Sequence, residues 1–233
     1  MGLVIPTTTY SQNGTFPLRN FAGYNNITYI IEGTQTINTG TKIIIPAGMS
    51  FKYGNFTVFS SNGRLDIAGT SSSPVVFTKF EDDEYGNPAD INNNGNASTP
   101  SLYGTVIDYN DVADDSSVVN YAIFRYSDYG LNLYSASPSI TNSTFYKCNY
   151  GIGIRGTSTP VVNNNQFQNL TRTPLITSIL TYPASSTNNS MSGTTWKGIS
   201  ILNETLSQDI TLEKRNFGGY NNVPYFFQGF TIG

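Results

Sequence analysis

PSITNSTFYKCNYGIGIRGTST, residues 138–159, is followed directly by PVVNNNQFQNLTRTPLITSILT, residues 160–181, and the two align without a gap. Pro138 falls on Pro160, Ile140 on Val162, Asn142 on Asn164 and Phe145 on Phe167, each 22 residues on. The same step reaches back to Val118, Asn120 and Ile123, and a looser copy runs forward through Pro183, Asn188 and Met191. GLNL at Gly130 returns as GIGI at Gly151, one residue short of that step. Each unit reads as a short alternating strand, a turn at Ser, Thr or Gly, a Pro-led second strand and another turn. A unit this short cannot bury its apolar positions alone, so it must stack on its neighbours as one coil of a solenoid with parallel sheets. Equivalent positions then lie above one another at ~4.8 Å. Ile140, Phe145, Val162 and Phe167 are expected inside, and the Asn120–Asn142–Asn164 row is expected to form an amide ladder along the axis. Cys148 falls 22 after Tyr126 and 22 before Leu170, which makes it a small hydrophobe of an apolar row rather than a reactive thiol.

Residues 29–80 have the same character with looser spacing. TYIIEG, TKIIIPAG, FTVFSSNG and RLDIAGT are alternating strands closed by Gly-containing turns, and no segment sustains a helical period. A longer period encloses the short one. RNFAGYNN at Arg19–Asn26 returns as RNFGGYNN at Arg215–Asn222, an offset of 196 residues that also carries Gly2 to Gly198, Ser11 to Ser207 and Tyr29 to Tyr225. Residues 1–37 and 197–233 are therefore two copies of one segment. The reading is one period of a tandem repeat: residues 1–16 end the preceding repeat, 17–200 form the solenoid with an acidic loop at 81–101, and 201–233 are the junction and the start of the next copy. About nine coils per 196-residue period correspond to ~40 Å of length.

Composition fits this architecture. Only 12% of the 233 residues are charged, while small polar residues abound, which suits short strands and tight turns rather than helices. A net charge of −3 offers no basic surface for phosphates, so nucleic acid is not an expected partner. No apolar run reaches the length of a membrane span, and the first ten residues carry no signal-peptide pattern. With one cysteine there is no internal disulfide, and with no histidine there is no Ser-His-Asp or Cys-His chemistry and no His-ligated zinc.

One segment breaks the strand rhythm: Glu81-Asp82-Asp83-Glu84 followed by Asp90-x-Asn92-x-Asn94-Gly95-Asn96. The second part sets oxygen ligands at the first, third and fifth positions of a calcium loop, with glycine at the sixth for its sharp turn. Ser101 stands where such a loop carries its bidentate Glu, so Asp82 or Asp83 must supply the missing charge. Two readings stand: calcium held by Asp82, Asp83, Asp90, Asn92, Asn94 and Asn96, or an Asx-type loop bonded to its own backbone. A second acidic group, Asp108, Asp111, Asp114 and Asp115, lacks ligand spacing and reads as a solvated face.

GRLDIAGT…PVVFT, the acidic Asp-Asp…Gly-Asn-Pro…Asp-x-Asn-x-Asn-Gly loop and the NSTF and NNNQF coils together resemble the parallel β-helix repeats of very large secreted surface proteins in Bacteroidota-type bacteria. WKGISILNETLSQDITLEKRNFGGYNNVPY resembles the junction between such repeats. The resemblance implies an all-β, right-handed parallel β-helix, extracellular at the cell surface, exported by type IX secretion and acting as a stalk or adhesin segment. Its loops are often Asp-rich where this chain has Asn92 and Asn94. The function expected is a structural shaft whose partners are neighbouring copies of the same repeat and, in addition, surface glycans. The alternative is a polysaccharide-binding module, or a calcium-dependent lyase or hydrolase with Arg125, Lys147 or Arg155 as base. Arg125 and Lys147, 22 apart, are expected on one outer face, where cations beside Tyr126, Tyr129 and Tyr146 form a glycan-binding strip. No complete catalytic constellation is visible, so no catalytic residue is assigned.

Overall fold

The computed structural model describes residues 1–95, 100–110 and 114–232. It is an all-β parallel solenoid of about nine turns, and the described residues contain no helix. The chain visits three sheets in rotation. The first face begins with Leu3–Ile5, the second with Thr8–Tyr10 and the third with Gly14–Thr15, and every later coil adds one parallel strand to each face until the third face ends at Val161–Asn163. All strand pairs within these faces are parallel, as short coils stacked in one direction require.

The interior is set by one row of aromatic rings on the first face. Phe51, Phe77, Phe124, Phe145 and Phe167 stack with centroids 5.3, 5.4, 5.0 and 5.0 Å apart and planes within 16°. All five are fully buried, as are Ile140 and Val162 on the third face, so the four positions expected inside are inside. The recurring glycine of GLNL and GIGI has its cause in this row. A Cβ on Gly130 would meet the Phe145 ring at 2.5 Å, and one on Gly151 would meet Phe167 at the same distance. The second face must be bare there for the rings to fit.

The 22-residue step holds from the 140s to the 160s but slips by one below them. Val119, not Val118, pairs with Ile140, and Phe124, not Ile123, pairs with Phe145. The turn after Arg155 is one residue longer than the turn after Tyr134, because Tyr134 aligns with Arg155 while Ser139 aligns with Val161. The slip decides which side faces in: Val119 and Phe124 are fully buried, while Val118 and Ile123 lie on the partly exposed side. Cys148 is buried as expected, yet its neighbour below is Ser127, whose hydroxyl bonds its Sγ at 3.2 Å. Burial pushes its thiol pKa up, which keeps it in the unreactive form.

The amide ladder is present one residue further along than expected. Asn142 and Asn164, with Asn188, hold left-handed turn conformations (φ 54°, 58° and 55°), and Asn142 donates to Asn120 at 2.8 Å. The buried rungs are Ser143, Asn165 and Asn189. The Asn165 side chain accepts the Ser143 amide and donates to the Ile140 carbonyl, and Asn189 repeats both bonds one coil up at 2.9 and 2.7 Å. These side chains satisfy backbone groups that the turn removes from the strand ladder. Replacing Asn165 by Ala orphans two buried backbone groups and is expected to cost about 1–3 kcal/mol in chemical denaturation, against about 1 kcal/mol or less for Asn120→Ala at the rim. Equal losses would remove the distinction between the two rows.

Candidate functional site

The acidic segment leaves the first face after Val75–Lys79 and rejoins the solenoid at Thr105–Tyr109 on the second. Its described residues between these strands lie along the outside of the first face, and three cations of the solenoid hold them there. Arg125, with 5% of its side chain exposed, donates Nε to the Asp82 carboxylate at 2.8 Å and also bonds Glu84. Its guanidinium lies 4.6 Å from the Tyr85 ring and 4.5 Å from the Tyr146 ring. Thr78 donates its hydroxyl to Asp82, and the Glu84 amide donates to the same carboxylate at 3.2 Å. Fully buried Lys52 donates its ammonium to the carbonyls of Asp82 and Ala89, which ties the first half of the loop to its middle. Fully buried Lys79 closes the far end, donating to Gly54 O at 2.6 Å, Tyr103 O at 2.6 Å and Asn55 Oδ1 at 3.0 Å.

Burial lowers the pKa of both lysines, to about 8 for Lys79, while nearby acids oppose the shift at Lys52. An ammonium taken out of water is costly unless oxygen dipoles replace its hydration, and here backbone carbonyls do so. The loop is therefore a cradle of hard oxygens, as its sequence announces, but the cations inside it belong to the chain.

The residues expected to bind calcium are dispersed among these roles. Asp82 is committed to Arg125 and Thr78. Both Asp90 oxygens accept amides of the loop itself, from Asn93 at 2.6 Å and Gly95 at 3.0 Å, and these bonds lower its pKa, the Gly95 bond most. Asn92 accepts the Asn94 amide at 3.3 Å. Asp83 has two buried carboxylate oxygens without a hydrogen bond, and Asn96 lies outside the described residues. Among the described residues no three His, Cys, Asp or Glu side chains gather as a metal centre. The geometry of residues 90–95 is that of the Asx-type loop.

The second acidic group divides. Asp114 and Asp115 are exposed and bond the amides of Ser116 and Ser137 at 2.7 and 2.5 Å, Asp111 lies outside the described residues, and Asp108 is half-buried against the second face. Burial raises the Asp108 pKa, and its Oδ2 accepts the Thr57 hydroxyl at 3.1 Å. The candidate bases are also separated. Arg125 is sealed under the loop in register with Tyr146, whereas Lys147 sits in the following turn in a left-handed conformation (φ 50°), because the first coil is one residue shorter. On the second face an aromatic ladder continues where Arg125 is hidden. Tyr129 and Tyr150 stack at 5.1 Å, Arg172 lies over Tyr150 and Trp196, and Trp196 meets Phe226 at 5.1 Å.

Lys52 and Lys79 escape the sequence reading. Their signal is present, a single cation in each of the strands FKY and FTK of a chain poor in charge. No spacing rule connects Lys52 to a carbonyl 30 residues further on, or Lys79 to carbonyls 25 residues before it and 24 after it.

Comparison with protein-family models, curated proteins and solved structures found no match to this chain. No helix among the described residues is long and apolar enough to cross a membrane.

Two measurements follow from the cradle. The folded Lys79 loses its proton near 8, while the unfolded side chain keeps it to 10.5. Between these values the unfolded state binds more protons, so this group makes stability rise with pH. The unfolding free energy of the wild type minus that of Lys79→Met should therefore rise from pH 8 to 9.5. A flat difference would show that Lys79 is solvated. For the loop, calorimetry with calcium up to the millimolar range of extracellular modules should give no saturable heat, and chelation should leave the melting temperature unchanged. A saturable heat abolished by Asp90→Ala would restore the calcium loop.

Proposed function

We propose that this chain is one period of an extracellular shaft, extended by copies of itself and acting through length and stiffness rather than turnover. The observation that carries this reading is that its two ends are the same module seen from opposite sides. Phe21 and Tyr24 exchange backbone hydrogen bonds at 3.0 Å, as do Phe217 and Tyr220. Asn20 accepts the Asn26 amide at 3.0 Å, and Asn216 accepts the Asn222 amide at 3.0 Å. Leu3–Ile5 pairs with Tyr29–Ile31, and Ile199–Ile201 pairs with Tyr225–Phe227 in the equivalent register.

What differs is which edge is covered. Ile199, Ser200 and Ile201 are 0, 0 and 1% exposed because a coil lies beneath them, whereas Val4, the counterpart of Ser200, is 52% exposed. Conversely Ile31 is fully buried under the coil above it, and its counterpart Phe227 is 47% exposed. Each copy buries the edge that the other leaves open. The open ends are apolar hollows of about 420 Å³, with Leu3, Tyr10 and Phe16, and about 520 Å³, with Leu206, Leu212 and Phe227. A neighbouring copy supplies the strand that each edge lacks.

The cell-surface setting, the adhesive role and export by type IX secretion rest on the resemblance to large secreted surface proteins of Bacteroidota-type bacteria. The sealing of Arg125 supports a shaft over a lyase in one respect: one of the three candidate bases is already spent on Asp82 and Glu84, while Lys147 and Arg155 are not.

A tandem chain, residues 1–196 joined in frame to residues 1–233, should melt several degrees above the single chain and be longer by ~35 Å in small-angle scattering. Equal melting temperatures with no added length would make the modules independent beads. Release of unsaturated or reducing sugar from acidic polysaccharides would move the reading to an enzyme.

A further inference from the structure

The repeat length and the coil length are out of step. Leu3–Ile5 opens the first face, and seven coil steps later that face ends at Ser190–Ser192. The next strand, Ile199–Ile201, is the counterpart of Leu3–Ile5, and it pairs with Leu175–Thr177 on the second face, not the first. Its own partner, Tyr225–Phe227, extends the second face as well, while Tyr29–Ile31 extends the first. One period of 196 residues thus advances the solenoid by seven coils and one further face, ~35 Å. A uniform 22-residue step implies nine coils and ~40 Å instead, and the difference arises because many coils are longer than 22 residues.

We propose that successive repeats are joined with a one-third turn of screw, so that each lateral loop emerges one face further round than in the copy before and returns to the same side every third copy. This rests on the tandem-shaft reading and adds the phase of the join. The strand pairing Leu175–Thr177 with Ile199–Ile201 fixes it, because a strand's sheet cannot change without breaking its ladder. The acidic loop over Lys52 and Arg125 stands on the first face of its own copy. In the next copy the same loop stands on what is here the second face, directly beyond the ladder that ends at Trp196 and Phe226. Along one side of the shaft, the ladder of one repeat is followed by the acidic loop of the next. The array therefore presents loops along three sides rather than as a single-sided comb, so a binding partner meets them from any direction of approach.

Distances between spin labels on the tandem chain test the phase. Asn92 marks the loop on the first face, and Lys42 marks the start of the third face; Cys148 is fully buried and stays unlabelled. One tandem carries Asn92→Cys in both copies, and a second carries Asn92→Cys in the first copy and Lys42→Cys in the second. The axial separation is ~35 Å for the Asn92 pair and about one coil more for the Asn92–Lys42 pair, because Ile91 lies beside Met1 in the first coil and Lys42 opens the third face of the second. A sideways offset larger than one coil therefore decides their order. With the one-third turn, the two Asn92 positions lie on different sides and the third-face label swings toward the first loop, so the Asn92–Lys42 distance is the shorter. If the Asn92–Asn92 distance is the shorter, repeats join in phase and the screw is overturned. Broad, featureless distributions for both pairs would overturn the rigid shaft itself, and the screw with it. Melting of each labelled tandem within a few degrees of the parent confirms that the pairs report on the intact fold.

Discussion

Parallel strands can stack only at ~4.8 Å, and the inner ring of each coil must live with that spacing. Flat aromatic rings do: the Phe51-to-Phe167 row keeps centroids 5.0–5.4 Å apart with nearly parallel planes. The fit between ring and strand repeat is what the other features answer to. It forces Gly130 and Gly151 opposite the rings, and it lets coils vary in length at their corners while the first face stays in register. Coil length is free because extra residues leave the stack sideways. The acidic loop, between Phe77 and Phe124, is the largest such departure, and the rings on either side of it still meet at 5.4 Å.

That freedom explains what could be read in the sequence. The parallel solenoid was legible from a 22-residue step repeated at Ile140/Val162 and Phe145/Phe167, because those coils have equal corners. The single-residue slip at Val118 and Ile123 was not, since it depends on a turn after Arg155 that is one residue longer than its predecessor. With a period of two along a strand, one residue is enough to exchange inside for outside. The buried ladder at Asn165 and Asn189 is a separate departure, since Asn142 and Asn164 keep their register and it is the residue after each left-handed turn that points inward. The candidate site was half legible. Its sequence reads as oxygen donors around a cation, and the fold shows oxygen donors around cations. Two cations of the chain itself, Lys52 on the first face and Lys79 at its corner, meet backbone carbonyls there, while the Asp90-x-Asn92-x-Asn94 stretch bonds its own amides.

An internal cation and a bound one differ in consequence. A bound ion stabilises only as far as its concentration exceeds its dissociation constant, so the loop would loosen whenever calcium fell. A lysine tethered to the strand beneath is present at every concentration and cannot be chelated. Its cost is desolvation, seen in the lowered pKa of Lys79, and that cost is offset only where carbonyls are already aimed at the ammonium. The described residues of the loop are tied to the strands beneath through their own carbonyls and carboxylates, which suits a segment that transmits length better than one that must open for a substrate.

The same separation of stack from corner governs the repeat as a whole. If coils had one fixed length, a genetic period would fall on a whole number of turns or else break the register of side chains at every junction. Here the junction retains register without a whole number of turns, because each strand of the second copy needs only a partner of the right spacing and an apolar inner residue beneath it. Ile199 and Ile201 find these on Leu175–Thr177, on a different face from Leu3 and Ile5, and are buried as completely as any residue of the core. The junction shows one such exchange, the counterpart of a first-face strand seated on the second face, so the length of the repeat need not be a whole number of coils.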